Sequence, residues 1–216
     1  MTEFKLFNGK LSLRPGMVGV NLKGKADPSG TINTLLQGDA EAAHVWLVLP
    51  NGKIASTGAK LGFIYGEIEA EKYLKRRPFF LLETVDPLSN GQLAIIQAAH
   101  DEMMASGIKR GYGLWKFPAL YALALKNGFV EKMGATLKTT APAFPICSQA
   151  VGYPLWRAGV LVGKMFGKLD YTALLPQTFL DEAQAVAFML AEGAIKPNPD
   201  KPQHYLKALN DRPYIF

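Results

Sequence analysis

The chain has 216 residues, 49% of them hydrophobic and 19% charged, with 21 glycines and 14 prolines, a make-up that fits an ordinary folded protein and excludes a disordered or collagen-like one. Its formal net charge is +6, yet the basic residues are scattered apart from Lys72, Lys75, Arg76 and Arg77, so no basic stripe interleaved with aromatics marks a nucleic-acid-binding surface. A single cysteine excludes an intramolecular disulfide and a cysteine-rich zinc site, and three dispersed histidines without His-x-x-x-His spacing argue against a metallohydrolase and imply no cofactor.

No composition break or long linker divides the chain, so residues 1–216 read as one domain with a proline-rich tail at about 196–216. The stretch from Met1 to Lys10 is too polar for a signal peptide, and no apolar run approaches the roughly 20 residues that span a bilayer. The expectation is a soluble cytoplasmic chain. A mild positive field draws a protein toward anionic cell-wall polymers, lipid headgroups or nucleic acid, and charge alone does not choose among them. The Lys72–Arg77 cluster reads as a solvated helix end.

Taken in chain order, Arg14-Pro15-Gly16 is a turn signal that introduces a strand over Met17–Leu22. A loop rich in Gly, Asp and Pro follows, then a short helical segment at Thr31–Leu36. His44–Leu49, Pro50-Asn51-Gly52 and Lys53–Thr57 form the clearest hairpin, because Asn-Gly supplies the positive φ angles of a tight turn. Phe79–Val85 reads as a further strand, giving a sheet of at least four. A helix follows Asp86–Asn90 and carries His100 until Gly107; another covers Leu114–Leu125, and Lys126–Pro145 reads as a long connection. A helix around Cys147, one at roughly Phe179–Glu192 and an extended surface tail complete an α+β domain. The most apolar region, Val151–Met165, is broken by Gly152, Pro154, Arg157, Gly159 and Gly163, so it is suited to touch a membrane or a partner but not to cross a bilayer.

The lone cysteine lies in Phe144-Pro145-Ile146-Cys147-Ser148-Gln149, a proline-broken loop running into an apolar helix. At a helix N-terminus the unpaired N–H groups and the dipole favour thiolate over thiol, and the same groups can stabilise an oxyanion. An arbitrary lone cysteine is more often a small buried apolar residue. His44, opening an apolar strand, is the candidate base, since an imidazole with a pKa near roughly 6.5 exchanges protons at neutral pH. His100 in an amphipathic helix and His204 in the tail suit exposure or plain hydrogen bonding.

These residues stand in a telling order. Pro15-Gly16-Met17-Val18 enters a strand, His44-Val45-Trp46-Leu47-Val48-Leu49-Pro50-Asn51-Gly52-Lys53 gives a His-Val strand and glycine turn, Lys109-Arg110-Gly111-Tyr112-Gly113 follows, and Cys147-Ser148-Gln149-Ala150-Val151 starts a helix. With histidine first and cysteine late, the chain resembles the circularly permuted NlpC-type papain-like hydrolases, the group that includes bacterial YiiX-like proteins and the lecithin:retinol acyltransferase family. The resemblance covers most of the chain and implies a permuted papain-like α+β fold, an antiparallel sheet packed against helices that include the nucleophile helix. It implies Cys147 as nucleophile, His44 as general base and acid, and Tyr112 as an active-site hydroxyl or else a core aromatic. The implied substrates are cell-wall (peptidoglycan) peptide amides or lipid acyl groups, with peripheral membrane contact.

Two positions depart from the pattern. Met17 stands where an acidic residue is usual, and Ser56, with Thr57 beside it, stands where relatives often carry glutamate or another polar residue on the strand after the histidine strand. Glu67, Glu69 and Glu83 are alternative sources of that third polar member. Hydrolysis, acyl transfer at the same thioester, and a binding or structural protein that keeps the shell without efficient chemistry all remain open.

Overall fold

The computed structural model describes residues 2–23, 41–58, 64–75, 77–105, 147–167, 171, 174–198 and 200–216. The expected segments at 31–36, 114–125 and 126–145, together with Arg76 and Tyr112, lie outside the described residues.

The described chain is mixed α+β. A short hairpin, β1 (Phe4–Leu6) and β2 (Leu11–Leu13), precedes β3 (Val18–Leu22), β4 (Ala42–Val48), β5 (Ile54–Gly58) and β6 (Ile64–Ile68). Then come α1 (Ala70–Leu74), β7 (Phe79–Thr84), α2 (Asn90–Ala105), α3 (Cys147–Arg157), α4 (Pro176–Ala191) and β8 (Leu206–Ala208). Strands β3 to β8 form one antiparallel sheet of six in the order β6-β5-β4-β3-β7-β8. The four-strand minimum read from the sequence is exceeded because β6 and β8 join at the two edges.

Period-two alternation divides this sheet between two cores. Val18, Val20, Val45, Leu47, Ala55, Phe80 and Leu82 face one side and pack with buried residues of α2, α3 and α4. Trp46, Val48, Ile54, Phe79 and Leu81 face the other, where Leu11, Leu13, Ala70 and Leu74 cover them. Both faces are buried, so β4 reads as a continuous apolar run interrupted by His44. Lys72, Lys75 and Arg77 are exposed around the end of α1, as expected of a solvated helix end.

The hairpin between β4 and β5 forms, but by a different turn. Gly52 N–H donates to the Leu49 carbonyl (3.0 Å) and Leu49 N–H to that of Lys53 (2.9 Å), closing the loop Pro50-Asn51-Gly52. Among its residues only Gly52 has positive φ, at 82°. Pro50, with its fixed φ, favours the first central position of a type I turn, and Gly52 then takes the left-handed position that follows.

Ser89 caps α2 by a reciprocal pair: its Oγ accepts the Gln92 N–H (3.2 Å) and Gln92 Oε1 accepts its own N–H (3.0 Å). The proline-rich tail is not merely wrapped on the surface. Strand β8 pairs with β7, and Tyr214 exchanges backbone hydrogen bonds with Phe79 at 2.8 and 3.1 Å. Apolar area explains this departure, because the stacked rings of Phe79, Tyr214, Phe216 and Phe7 seal the second core.

The turn after α3 is pinned from within. Glu182 on α4, 1% exposed, accepts the backbone N–H groups of Gly163 and Met165. Burial raises its carboxyl above the ordinary 4.5, and the two N–H donors only partly offset that. A raised carboxyl contributes stability that is complete below its unfolded value and is lost as pH rises through the folded value. Relative to Glu182→Gln, the wild-type melting temperature should therefore fall as pH is raised from about 4 toward neutrality. Parallel melting curves for the two proteins across that range would refute the assignment.

Candidate functional site

Cys147 is the first described residue of α3, two positions after Pro145, and is 2% exposed. Helix α3 lies on the sheet across β4 and β5, the strands that carry His44 and Ser56. Gly152 permits close packing of this helix, since a Cβ there would come within 2.6 Å of Leu174 Cδ1. Ser148, fully buried, donates its hydroxyl to the Leu174 carbonyl at 2.7 Å.

The direction of α3 decides which end of the sheet the thiol occupies. It runs antiparallel to α2: Gln92 Nε2 donates to the Ala158 carbonyl (3.0 Å), and the Tyr153 hydroxyl donates to Glu102 (3.0 Å) nearer the other end. The start of α2 abuts Gly16, beside Leu88, Leu93 and Ile96, at the end of the sheet that holds the Leu49–Lys53 turn. Cys147 therefore stands at the opposite end, where β4 begins and His44 lies.

His44 Nε2 and Ser56 Oγ are 2.6 Å apart. The two side chains share a side of the sheet with Trp46 and Asn21, while α3 lies over the other, so thiol and imidazole share an end of the sheet rather than a face. A bulge contributes locally. Asn21 pairs with His44 but Leu22 with Ala42, which inserts Ala43 as an extra residue just before the histidine. Ser56 also lies 3.3 Å from the Val45 carbonyl and 3.4 Å from that of Thr57.

Between the two hydroxyls considered for the third member, the structure distinguishes clearly. Thr57 is paired with Tyr65 on the helix-covered side, and its buried Oγ1 has no hydrogen-bond partner. The carboxylates go elsewhere. Glu83 pairs with Arg14 and with Lys207 (3.4 Å), and Glu69 occupies the N-cap position of α1 without a capping bond. Glu67 meets a different histidine: Oε1 lies 3.0 Å from His100 Nε2, and Oε2 takes Lys53 at 3.0 Å. Burial alone would raise the Glu67 carboxyl, but hydrogen bonds and charge from Lys53 and His100 outweigh it and hold the group below its usual value.

His100 is not exposed, as a histidine on an amphipathic helix could have been. It is 1% exposed, and its Nδ1 is 2.6 Å from the Tyr65 hydroxyl, so the triplet Tyr65–His100–Glu67 fastens α2 to β6. His204 Nδ1 reaches the Asp86 carbonyl at 3.3 Å in the tail.

Sequence reasoning missed the residues behind Ser56. Burial raises the Tyr73 phenol well above its ordinary value, and the nearby polar groups of Ser56 and Asn21 offset only part of that. Trp46 Nε1 donates to Asn21 Oδ1 at 2.9 Å, and the Trp46 ring meets Tyr73 edge-on at 6.2 Å between centroids. One signal was available, because Asn21 is a polar residue inside the otherwise apolar strand Val18-Gly19-Val20-Asn21-Leu22.

No group of three or more His, Cys, Asp or Glu residues suited to a metal occurs among the described residues. No described helix is long and apolar enough to cross a membrane. Within Val151–Met165, Val151, Leu155, Ala158 and Val160 are core, whereas Trp156 and Met165 are exposed. Comparison with protein-family models, with curated proteins and with solved structures found no match.

Proposed function

We propose that this protein is a cysteine hydrolase of permuted papain-like architecture that cleaves an amide or ester through an acyl-thioenzyme on Cys147. One observation carries the reading: the lone cysteine opens a helix laid over the two strands that carry a hydrogen-bonded His–Ser pair, at the end of the sheet where that histidine lies. His44 takes the thiol proton, and the sulfur attacks the carbonyl carbon to form a C–S bond. The tetrahedral oxyanion is held by N–H groups at the start of α3. As the C–N or C–O bond breaks, the imidazolium returns its proton to the leaving group. Water then attacks the thioester, His44 takes its proton, and the acid and the free thiol are released.

With Ser56 bound at Nε2, the proton exchange with sulfur belongs to Nδ1. The substrate class is a cell-wall peptide amide or a lipid acyl group, and a net charge of +6 favours approach to anionic polymers or headgroups.

A second reading rests on Ser56 itself. A neutral hydroxyl stabilises imidazolium less than a carboxylate does, which suits a binding protein that retains the shell with weak chemistry. Intact-mass analysis after mixing with acyl p-nitrophenyl esters and acylated peptides separates the readings. An acyl adduct on Cys147 that decays to free acid is the expected result, and decay only onto an added amine or alcohol would make the enzyme a transferase. Absence of any adduct, with Cys147 alkylated no faster than a free thiol, would leave the binding protein.

A further inference from the structure

We propose that the exposed end of α3 is a glycan-binding platform, on which a sugar ring of a neutral oligosaccharide stacks against Trp156 while its hydroxyls bond Arg157 and Glu102. The platform involves neither Cys147 nor His44 and does not rest on the hydrolase reading.

Its foundation is helical spacing. Gly152 and Tyr153 lie one turn before Trp156, so the three share a side of α3. Because residue 152 is glycine, Tyr171 sits directly on the helix: a Cβ there would lie 3.2 Å from Tyr171 Cβ and 3.7 Å from its Cα. From that seat the Tyr171 ring meets Tyr153 edge-on at 5.2 Å between centroids and Trp156 at 6.0 Å. The indole is thereby buttressed, yet it remains 48% exposed.

Next to it in the chain stands an ion pair of fixed geometry. Arg157 Nη1 donates to the Tyr153 hydroxyl at 2.7 Å and to Glu102 Oε2 at 3.3 Å, and that hydroxyl donates to the same Oε2 at 3.0 Å. The guanidinium also lies over the Tyr153 ring, 5.6 Å from its centroid. These bonds occupy one guanidinium nitrogen and one carboxylate oxygen. Among the described residues, the other N–H groups of Arg157, Glu102 Oε1 and the Trp156 indole N–H have no protein partner. Both charged side chains are largely exposed.

Three demands fall on a ligand for this patch. It must present an apolar face to the indole, which a pyranose does with its axial C–H groups. It must both donate and accept, because a carboxylate only accepts and a guanidinium only donates; adjacent sugar hydroxyls do both. It must be neutral, since an anionic headgroup meets Glu102 and a cationic ligand meets Arg157. Entering a bilayer would strip water from both members of the pair, which disfavours a lipid surface. Because Tyr153 and Glu102 already hold the guanidinium and Tyr171 the indole, little side-chain freedom is left to lose on binding.

The test uses the full chain with the β-1,4-linked tetrasaccharides of glucose and of N-acetylglucosamine, and with phosphatidylglycerol vesicles. Calorimetry is expected to show saturable binding of at least one tetrasaccharide, weakened about 10-fold or more by Trp156→Ala, as for a central aromatic anchor. Glu102→Gln and Arg157→Lys, which keep side-chain size, should each weaken it about 3- to 10-fold. All three variants should melt within a few degrees of wild type, because the altered groups are exposed; if Trp156→Ala melts early, the two conservative variants decide.

Failure of both tetrasaccharides to bind saturably, or binding that none of the variants weakens, would overturn the proposal. So would vesicle sedimentation that Trp156→Ala abolishes, which would make the patch a membrane contact. Sugar binding by a chain that shows no acyl adduct on Cys147 leaves the platform standing while the hydrolase reading falls.

Discussion

Cys147→Ser and His44→Ala are each expected to reduce turnover of an activated ester by about 10³-fold or more while melting within a few degrees of wild type. In the proposed mechanism thiol and imidazole act as one unit, so the two losses should not be additive. Serine is close to cysteine in size, so the packing around a residue that is 2% exposed survives while the thiol is lost. His44 is only partly buried and hydrogen-bonds Ser56, so its removal leaves the Ser56 hydroxyl to re-pair without opening the fully buried core. Steady-state ester hydrolysis with parallel thermal melts makes the measurement. Retention of more than a tenth of wild-type turnover by both variants would place the chemistry elsewhere.

Gly19→Ala should cause the largest loss of stability of any single methyl addition considered. A Cβ at residue 19 would lie 1.8 Å from Trp46 Cζ2 and 1.9 Å from Cε2, far inside van der Waals contact. The indole has nowhere to go. Phe79 and Tyr73 meet it edge-on at 5.5 and 6.2 Å between centroids, and its N–H is committed to Asn21. Overpacking of this kind costs about 3 kcal/mol, equivalent to roughly 10 °C in melting temperature for a domain of this size. The damage extends toward the site, because a displaced Trp46 releases Asn21, the residue paired with His44 across the two strands. Gly91→Ala is the control: only Ser89 Oγ, at 3.8 Å, approaches its Cβ position, and alanine on a helix should be neutral or slightly stabilising. A Gly19→Ala protein that melts within two or three degrees of wild type would show that the sheet tolerates the shift.

Much of the scaffold was legible because its signals are local. Alternating and continuous apolar runs marked β3, β4, β5 and β7, and Pro50-Asn51-Gly52 marked their central turn, although Pro50 moved the positive φ to Gly52 alone. Asp86–Asn90 announced the start of α2, whereas α4 begins at Pro176, ahead of the Phe179 read from the sequence. The edge strands were not legible. β8 has three residues and gains its place only from pairing with β7, while the tail aromatics Tyr214 and Phe216 look like surface decoration until Phe79 is beneath them. Of the two roles open to His100, exposure or plain hydrogen bonding, the structure shows the second, and nothing local to α2 shows that Tyr65 and Glu67 come across from β6 to bury it.

At the candidate site the division is similar. By itself the sequence placed the lone cysteine at a helix and a histidine in an apolar strand followed by a hydroxyl-bearing one, because residue type and period are properties of short segments; that strand begins at Ala42, ahead of His44. Only the tertiary structure decided that Ser56 rather than Thr57 meets His44, that Glu67 serves His100 instead, and that Asn21 takes the Trp46 indole N–H. Those choices depend on which side of the sheet a side chain takes and on a bulge at Ala43. Strand pairing and helix direction, set by burying two cores at once, are what bring residues so distant in the chain to one end of the sheet.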